Sequence, residues 1–268
     1  MIDSNGLKRI QKIQAERWLQ HPYAARTLEE LELVYHQPKI SGAPIGRSII
    51  GQSGAGKTTL LKHFVDQHKA DHGICPPLFI NVPSGPNLNS LLTSILEEVN
   101  DFKPSARTAS EKSHRILRIL SVIKPPIIIF DEAQNLAEGT NKQSRNCVNA
   151  IKTISNNLAI PTVLAGTSHL EPIITEDAQY ARRWRAVYLE SYPENQDFVD
   201  LVNAFLIDVD LKKQEGFLAP TAYKKIHKYS KGLIGLIKEI LITATIEAIR
   251  DGKERITINH IRPILNVN

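Results

Sequence analysis

The chain has 268 residues, of which 42% are hydrophobic and 23% charged, and its net charge is +5 at pH 7. A chain of this length buries a sizeable core without disulfides, and its two cysteines, Cys75 and Cys147, are typical of a reducing compartment. No apolar run approaches the roughly 20 residues that a bilayer crossing needs, and residues 1–12 lack the apolar core of a secretory signal. We therefore expect a cytoplasmic protein without a membrane segment, whose mild basic excess is compatible with a polyanionic partner.

Helical periodicity predicts an N-terminal extension over residues 1–40, with helices over residues 7–20 and Leu28–Tyr35. A loop rich in proline and glycine follows. Short β-branched runs then alternate with helix-length segments, which is typical of a mostly parallel sheet covered by helices on both faces. The pattern therefore predicts a three-layer α/β nucleotide-binding core over residues 41–190. Its strands are Ser48–Ile50, Leu78–Val82, Ile127–Phe130, Thr162–Ala165 and Ala186–Leu189.

The strand pattern stops after Glu190. Residues 191–195 are predicted to be a linker, and residues 198–265 are helical in period, with breaks at residues 216–220 and at Gly232. A small all-helical lid over residues 191–268 is therefore expected.

A phosphate-binding loop is predicted between the first strand and the following helix. The run Gly51, Gln52, Ser53, Gly54, Ala55, Gly56, Lys57 and Thr58 matches G-x-x-x-x-G-K-[ST], and Thr59 opens a helical stretch. Glycines let backbone N–H groups turn toward phosphates, the helix N-terminus adds positive dipole, the lysine reaches the β- and γ-phosphates, and the Thr58 hydroxyl ligates Mg²⁺. The loop and its flanks predict ATP binding.

Two carboxylates, Asp131 and Glu132, directly follow the third predicted strand. The carboxyl ends of buried parallel strands open at the ligand-binding edge of such sheets, so Asp131 is expected to hold Mg²⁺. Glu132 is expected to orient and polarise the attacking water. The alternative is that this pair merely caps a helix.

Two further features stand near that edge. Thr167 follows the fourth strand, where its hydroxyl is expected either to contact the γ-phosphate or lytic water or to cap the next helix. Arg182, Arg183 and Arg185 precede the last predicted strand. An arginine donated by a neighbouring subunit stabilises transition-state charge in P-loop enzymes. The alternative is a basic surface or a DNA-facing patch.

These motifs together resemble those of the TniB/TnsC transposition ATPases, which are AAA+ proteins and relatives of MuB and IstB. The family's order is followed by the runs GQSGAGKTTL, IIIFDEAQNL, TVLAGTSHL, ARRWR and KGLIGLIKEIL, preceded by Trp18-Leu19 and the helix around residues 28–33. The phosphate loop and the DEA run mark any AAA+ protein. The combination of LAGT with GLIG is what points to this family.

The resemblance implies an ATPase with Mg²⁺ that assembles as a ring or helical filament on duplex DNA, marks a target site and recruits a TniA/TnsB-type transposase, with hydrolysis tied to disassembly. A TniQ-type adaptor is a further partner of such proteins. By motif matching, Arg183 becomes the arginine finger and Thr167 the first sensor. Leu236 stands where relatives often carry a second-sensor arginine. Either Lys238 substitutes for it or the lid couples weakly to nucleotide, and slow hydrolysis is expected.

Sequence-independent DNA contacts are expected from loops around the helix that starts near Ser110. Lysine and arginine neutralise phosphates, while threonine hydrogen-bonds to them. The alternatives are an ordinary polar loop for these residues and, for the whole chain, a replication-type helicase loader or a non-DNA assembly ATPase. No acidic cluster for strand transfer is apparent, so no nuclease activity is expected. The candidate DNA contacts are Lys103, Arg107, Thr108 and Lys112, with Asn89 and Lys142 as weaker additions.

Overall fold

The computed structural model describes residues 8–11, 18, 21–37, 44–69, 75–105, 108–207, 211–214 and 217–264. The chain divides into two compact units. The larger comprises residues 22–53 and 57–189, and the smaller comprises residues 1–21, 54–56 and 190–268. Within the described part of the chain, no helix combines the length and the apolar character that a membrane crossing requires.

The larger unit is built on a parallel sheet of five strands in the order β2-β3-β4-β1-β5. Every residue of β3 and β4 is buried, as expected of strands covered on both faces. The prediction of a mostly parallel α/β sheet is confirmed. The strands are β1 (Gly46–Ile50), β2 (Leu78–Asn81), β3 (Ile128–Asp131), β4 (Thr162–Gly166) and β5 (Trp184–Tyr188).

Seven helices of the larger unit are described around this sheet, and the five that follow β2 contribute apolar residues to one core with β2, β3 and β4. Three of them begin with capping boxes, in which Asn87, Thr108 and Thr140 accept a backbone N–H three residues on. The helices are α1 (Pro22–Tyr35), α2 (Lys57–Gln67), α3 (Leu88–Glu98), α4 (Ala109–Ile123), α5 (Asn141–Leu158), α6 (Glu171–Thr175) and α7 (Ala178–Arg183).

Strand order decides which loops share an edge of the sheet. β1 pairs with β4, and β4 pairs with β3, all in parallel. The segments that follow these three strands therefore leave the sheet on the same side. They carry the phosphate loop, the pair Asp131–Glu132, and Thr167.

Within its described residues the smaller unit contains, besides the helical residues 8–11, the helices α8 (Gln196–Ile207), α9 (Pro220–Ser230) and α10 (Ile234–Arg250). The prediction that helical structure continues toward residue 265 is wrong for residues 251–264, which form turns, bends and irregular chain. Gly252, at φ +72, ends the helical geometry just after Arg250. Within this unit Gly232 also has a positive φ of +73, and a Cβ there would lie 2.0 Å from the Tyr192 carbonyl oxygen.

The division between the units falls close to residue 190, near the expected start of the lid. Helix α1, which was expected in the N-terminal extension, belongs instead to the larger unit. Most of the predicted helix over residues 7–20 lies outside the described residues. Within it, residues 8–11 are described and are helical.

Candidate nucleotide-binding site

The phosphate loop connects β1 to α2, which begins at Lys57. Gly54 and Gly56 adopt φ values of +81 and +89, a region that side chains rarely tolerate. Because the loop leads directly into a helix N-terminus, its N–H groups and the helix dipole favour an anion. Gln52, Ser53 and the first-turn residue Thr59 are exposed to solvent.

The Lys57 side chain folds back on this loop. It is only 8% exposed, and its ammonium donates to the carbonyl oxygens of Gly51 at 2.7 Å and Gln52 at 3.0 Å. Burial lowers the pKa of Lys57, while the nearby charges of Glu132 and Asp131 oppose that shift. A phosphate oxygen is a stronger acceptor than a carbonyl, so these two contacts are ones that a nucleotide can displace.

Thr58 and Asp131 are 73 residues apart in sequence but in direct contact. The Thr58 hydroxyl donates to Asp131 Oδ2 at 2.7 Å, and Asp131 is 1% exposed. Burial raises the pKa of the Asp131 carboxyl, and hydrogen bonds from Thr58 and from the Glu132 N–H act against this. A hydroxyl beside a carboxylate is the oxygen set that Mg²⁺ prefers next to nucleotide phosphates. These residues fit the expected metal.

Glu132 stands out by its backbone and its exposure. Its φ of 54 and ψ of 32 place a non-glycine residue in the left-handed region, a strained conformation that is found at functional sites. Its side chain makes no capping bond to the 3₁₀ helix Ala133–Ala137 that follows, so the capping alternative is not supported for Glu132. Its carboxylate is exposed and accepts a hydrogen bond from the Gln134 amide.

Thr167 lies just beyond β4 with an unused hydroxyl. Its Oγ1 is buried and has no hydrogen-bond partner among the described residues. It does not cap the 3₁₀ helix Ser168–Leu170, so the capping alternative is not supported here either. An unsatisfied buried hydroxyl costs about 1–3 kcal/mol. An oxygen of a bound nucleotide or of the lytic water is a suitable partner for it.

Sequence reasoning missed Gln134. Its amide Nε2 donates to Glu132, and its Oε1 accepts the Thr167 N–H at 3.1 Å. Nothing in the local pattern distinguishes this glutamine from a solvated one, because its contact with Thr167 is defined only by the pairing of β3 with β4. Its proximity to the carboxylate pair was the one available signal.

Arg183 requires a correction. The side chain that was expected to reach a neighbouring subunit is 7% exposed and donates to Ser155 Oγ at 3.0 Å, to Asn156 Oδ1 and to the Pro44 carbonyl oxygen at 3.4 Å. Burial lowers the pKa of this guanidinium. Its bonds to the last turn of α5 make it an internal brace. Arg182 and Arg185 are the exposed arginines of this run.

The candidate DNA residues do not form a single exposed group. Lys112 is 1% exposed, and its ammonium donates to Thr93 Oγ1 at 2.5 Å, so its placement argues against a phosphate contact. The Thr108 hydroxyl caps α4 and donates to Glu111 at 2.8 Å. Lys103 is exposed beside Phe102, which is itself 87% exposed. Arg107 lies outside the described residues. The weaker candidates Asn89 and Lys142 are both exposed.

Within the smaller unit, residues 54–56 group with the start of α10. The Gly235 N–H donates to the Gly54 carbonyl oxygen at 2.8 Å, and a Cβ on Gly235 would also lie 2.8 Å from that oxygen. A Cβ on Gly54 would meet Leu236 at 3.8 Å. The backbone of the GLIG run thus packs closely against Gly54 of the phosphate loop. The residue at the expected second-sensor position, Leu236, is apolar. Lys238 is partly buried.

The fold is shared with several solved structures. The Aeropyrum pernix ORC1 protein in complex with DNA matches at a TM-score of 0.72 and 17% identity, covering 94% of this chain and 67% of that one. CDC6P from Pyrobaculum aerophilum matches at 0.70 and 15%, covering 92% and 67%. Domain III of the Thermotoga maritima replication initiation protein DnaA matches at 0.58 and 13%, covering 97% and 95%. These likenesses establish an AAA+ fold.

Among curated proteins, none matches the chain. The family model described as bacterial TniB protein matches residues 9–194, which include the phosphate loop, Asp131, Glu132 and Thr167. Together with the nucleotide-site geometry, this match shows that the chain belongs to the TniB family of AAA+ ATPases.

Proposed function

We propose that the chain is an ATP-dependent regulator of DNA transposition that oligomerises on duplex DNA, marks the target site and recruits a transposase. The observation that carries the ATP-dependent part is the convergence of Lys57, Thr58 and Asp131 beside an exposed Glu132. The TniB match supports the link to transposition. The transposase would be of the TniA/TnsB type, with a TniQ-type adaptor as a further partner.

The residues divide the chemistry of ATP hydrolysis among them. Lys57 exchanges its two carbonyl partners for oxygens of the β- and γ-phosphates. Thr58 and Asp131 would hold Mg²⁺, which would supply positive charge that stabilises the phosphates. Glu132 orients the attacking water and accepts its proton. The Thr167 hydroxyl hydrogen-bonds to the γ-phosphate or the water, and this satisfies its orphaned oxygen.

Binding to DNA is assigned to the exposed segment that contains Phe102 and Lys103. A lysine there neutralises backbone phosphates without reading sequence. Arg107, by its position in the sequence, extends this basic segment. Lys112 is left out because it is buried, and Thr108 contributes only if it releases its cap. With Arg183 internal, the exposed Arg182 takes over the role of in-trans finger.

The test is electrophoretic mobility and negative-stain imaging with random-sequence duplex DNA. Wild-type protein in ATPγS is expected to coat DNA as rings or filaments, in a salt-sensitive manner, and to release it in ADP. Lys57→Ala is expected to abolish this coating because the phosphates lose their lysine. Absence of DNA binding in every nucleotide state would overturn the proposal and leave a protein client.

A helicase loader of replication is the second candidate, favoured by the fold likeness to DnaA domain III and to ORC1. The two functions share ATP and DNA but differ in the protein recruited. Pull-down by DNA-bound protein in ATPγS, with the purified transposase or the replicative helicase as prey, separates them. Capture of the helicase alone would favour the loader.

A further inference from the structure

We propose that Gln134 is a positioning residue for ATP hydrolysis, which holds the Glu132 carboxylate with one end of its amide and the backbone after β4 with the other. The inference rests on the proposed role of Glu132 as the residue that activates water. It adds a member to the site that the phosphate-loop and carboxylate motifs do not contain.

The two bonds assign the orientation of the amide without ambiguity. A carboxylate accepts only, so the Gln134 NH₂ group must face Glu132. A backbone N–H donates only, so the Gln134 carbonyl oxygen must face Thr167. A glutamine is the right length and has one donor end and one acceptor end. Glutamate at this position would set two carboxylates against each other.

The backbone around Gln134 is shaped to admit its side chain. A Cβ on Gly166 would lie 2.7 Å from Gln134 Oε1 and 2.8 Å from the Gln134 backbone nitrogen. Only glycine at the end of β4 therefore permits this approach. This close contact with Gly166 restricts where the Gln134 amide can lie at the edge of the sheet.

The next residue provides a matching tether on the other side of β3. Asn135 Nδ2 donates to the Val82 carbonyl oxygen at 2.9 Å, just beyond β2. Gln134 and Asn135 thus attach the segment after β3 to the ends of both neighbouring strands. The Asn135 backbone N–H donates to the Glu132 carbonyl oxygen, but among the two described side chains only that of Gln134 bonds to the Glu132 carboxylate. The Asn135 side chain is therefore a natural control for general loosening of this segment.

Restraint of Glu132 matters because its side chain is otherwise exposed. Its carboxylate extends from a strained left-handed residue, and Gln134 is the hydrogen-bonding side chain that the structure places on it. A base that must meet one water molecule loses rate steeply when its orientation is free, about a hundredfold for a misplacement near 1 Å. Gln134 reduces that freedom by binding one carboxylate oxygen and leaving the other for water.

The experiment compares Gln134→Met, which removes both hydrogen bonds at similar volume, with Gln134→Glu, which keeps the acceptor for Thr167 and repels Glu132. Both variants are expected to lower kcat about ten- to a hundredfold, with unchanged KM and unchanged affinity for a fluorescent ADP analogue. Asn135→Leu, the control for loosening, is expected to lower kcat by less than about threefold. Melting temperatures report whether each variant folds.

A readout that needs no catalysis is amide hydrogen exchange at Thr167 in nucleotide-free protein. Its N–H is protected by Gln134 in the wild type. Faster exchange is therefore expected in Gln134→Met and wild-type exchange in Gln134→Glu. Equal exchange in wild type and Gln134→Met would overturn the bridge itself.

The decisive comparison is a double-mutant cycle with Glu132→Gln in single-turnover assays. If Gln134 acts through Glu132, Gln134→Met changes the residual rate of Glu132→Gln by less than about twofold. An equal loss in both backgrounds would overturn the inference while leaving the proposed role of Glu132 intact. Equal rates for wild type and Glu132→Gln would instead remove that role, and the inference with it.

Discussion

The nucleotide site and the candidate DNA segment differ in how their predicted residues are used. At the nucleotide site, Lys57, Thr58 and Asp131 are gathered at one sheet edge with the contacts their motifs require. In the DNA segment, Lys112 is buried against Thr93 and Thr108 caps its helix. The phosphate loop has a defined backbone geometry, so its sequence alone predicts where its side chains lie. Whether a single lysine or arginine is exposed and can bind DNA depends on which face of its helix it occupies and on which residues pack beside it.

The largest effect that sharpens this comparison is expected at Glu132. Glu132→Gln removes the group that accepts the proton of the water while keeping its size, so kcat should fall at least about a hundredfold. Nucleotide affinity should stay within about threefold, because Lys57 and the loop still bind the phosphates. Steady-state phosphate release and equilibrium binding of a fluorescent ATP analogue measure the two quantities. Undiminished ATP hydrolysis by Glu132→Gln would show that the nucleotide site was not predicted better than the DNA segment in this respect.

The next effect concerns Arg183, which motif matching predicted to act at a nucleotide site but which is buried in the structure. Arg183→Ala removes a buried guanidinium together with its hydrogen bonds to Ser155, Asn156 and the Pro44 carbonyl oxygen, which should cost about 3 kcal/mol of unfolding free energy. Thermal and urea unfolding of the isolated protein measure this loss. Arg182→Ala, the exposed neighbour, is the control and should change stability by less than about 0.5 kcal/mol. Equal stability of both variants would return Arg183 to the list of finger candidates.

The smallest effect separates two lysines of the DNA segment. Lys103→Ala should weaken binding to random-sequence duplex about fivefold at moderate salt and reduce the salt dependence by the equivalent of one phosphate contact. Lys112→Met should leave affinity within about twofold, because its ammonium is turned inward. Fluorescence anisotropy in ATPγS over a salt series provides both values. Stronger loss from Lys112→Met would show that the segment rearranges on DNA.

Much of the fold was predictable because its signals are local. Short β-branched runs predicted five strands, each of which starts and ends within two residues of the observed bounds. The C-terminal helices were predicted by period, but the prediction continued past Arg250, where Gly252 ends the helix. Periodicity persists through polar turns, so it overestimates helix length.

The sequence by itself determined the phosphate loop, the carboxylate pair and the parallel order of elements, because each depends on residues that are adjacent in the chain. Only the tertiary structure decided that Arg183 is an internal brace and that Lys112 is buried. It also decided that Gln134, which contacts the nearby Glu132, bonds to Thr167, 33 residues further along the chain. The reason is physical: burial and hydrogen bonding of a polar side chain depend on which strand or helix packs beside it. The fold brings that strand or helix into contact, and the residues adjacent in sequence do not predict which one it will be.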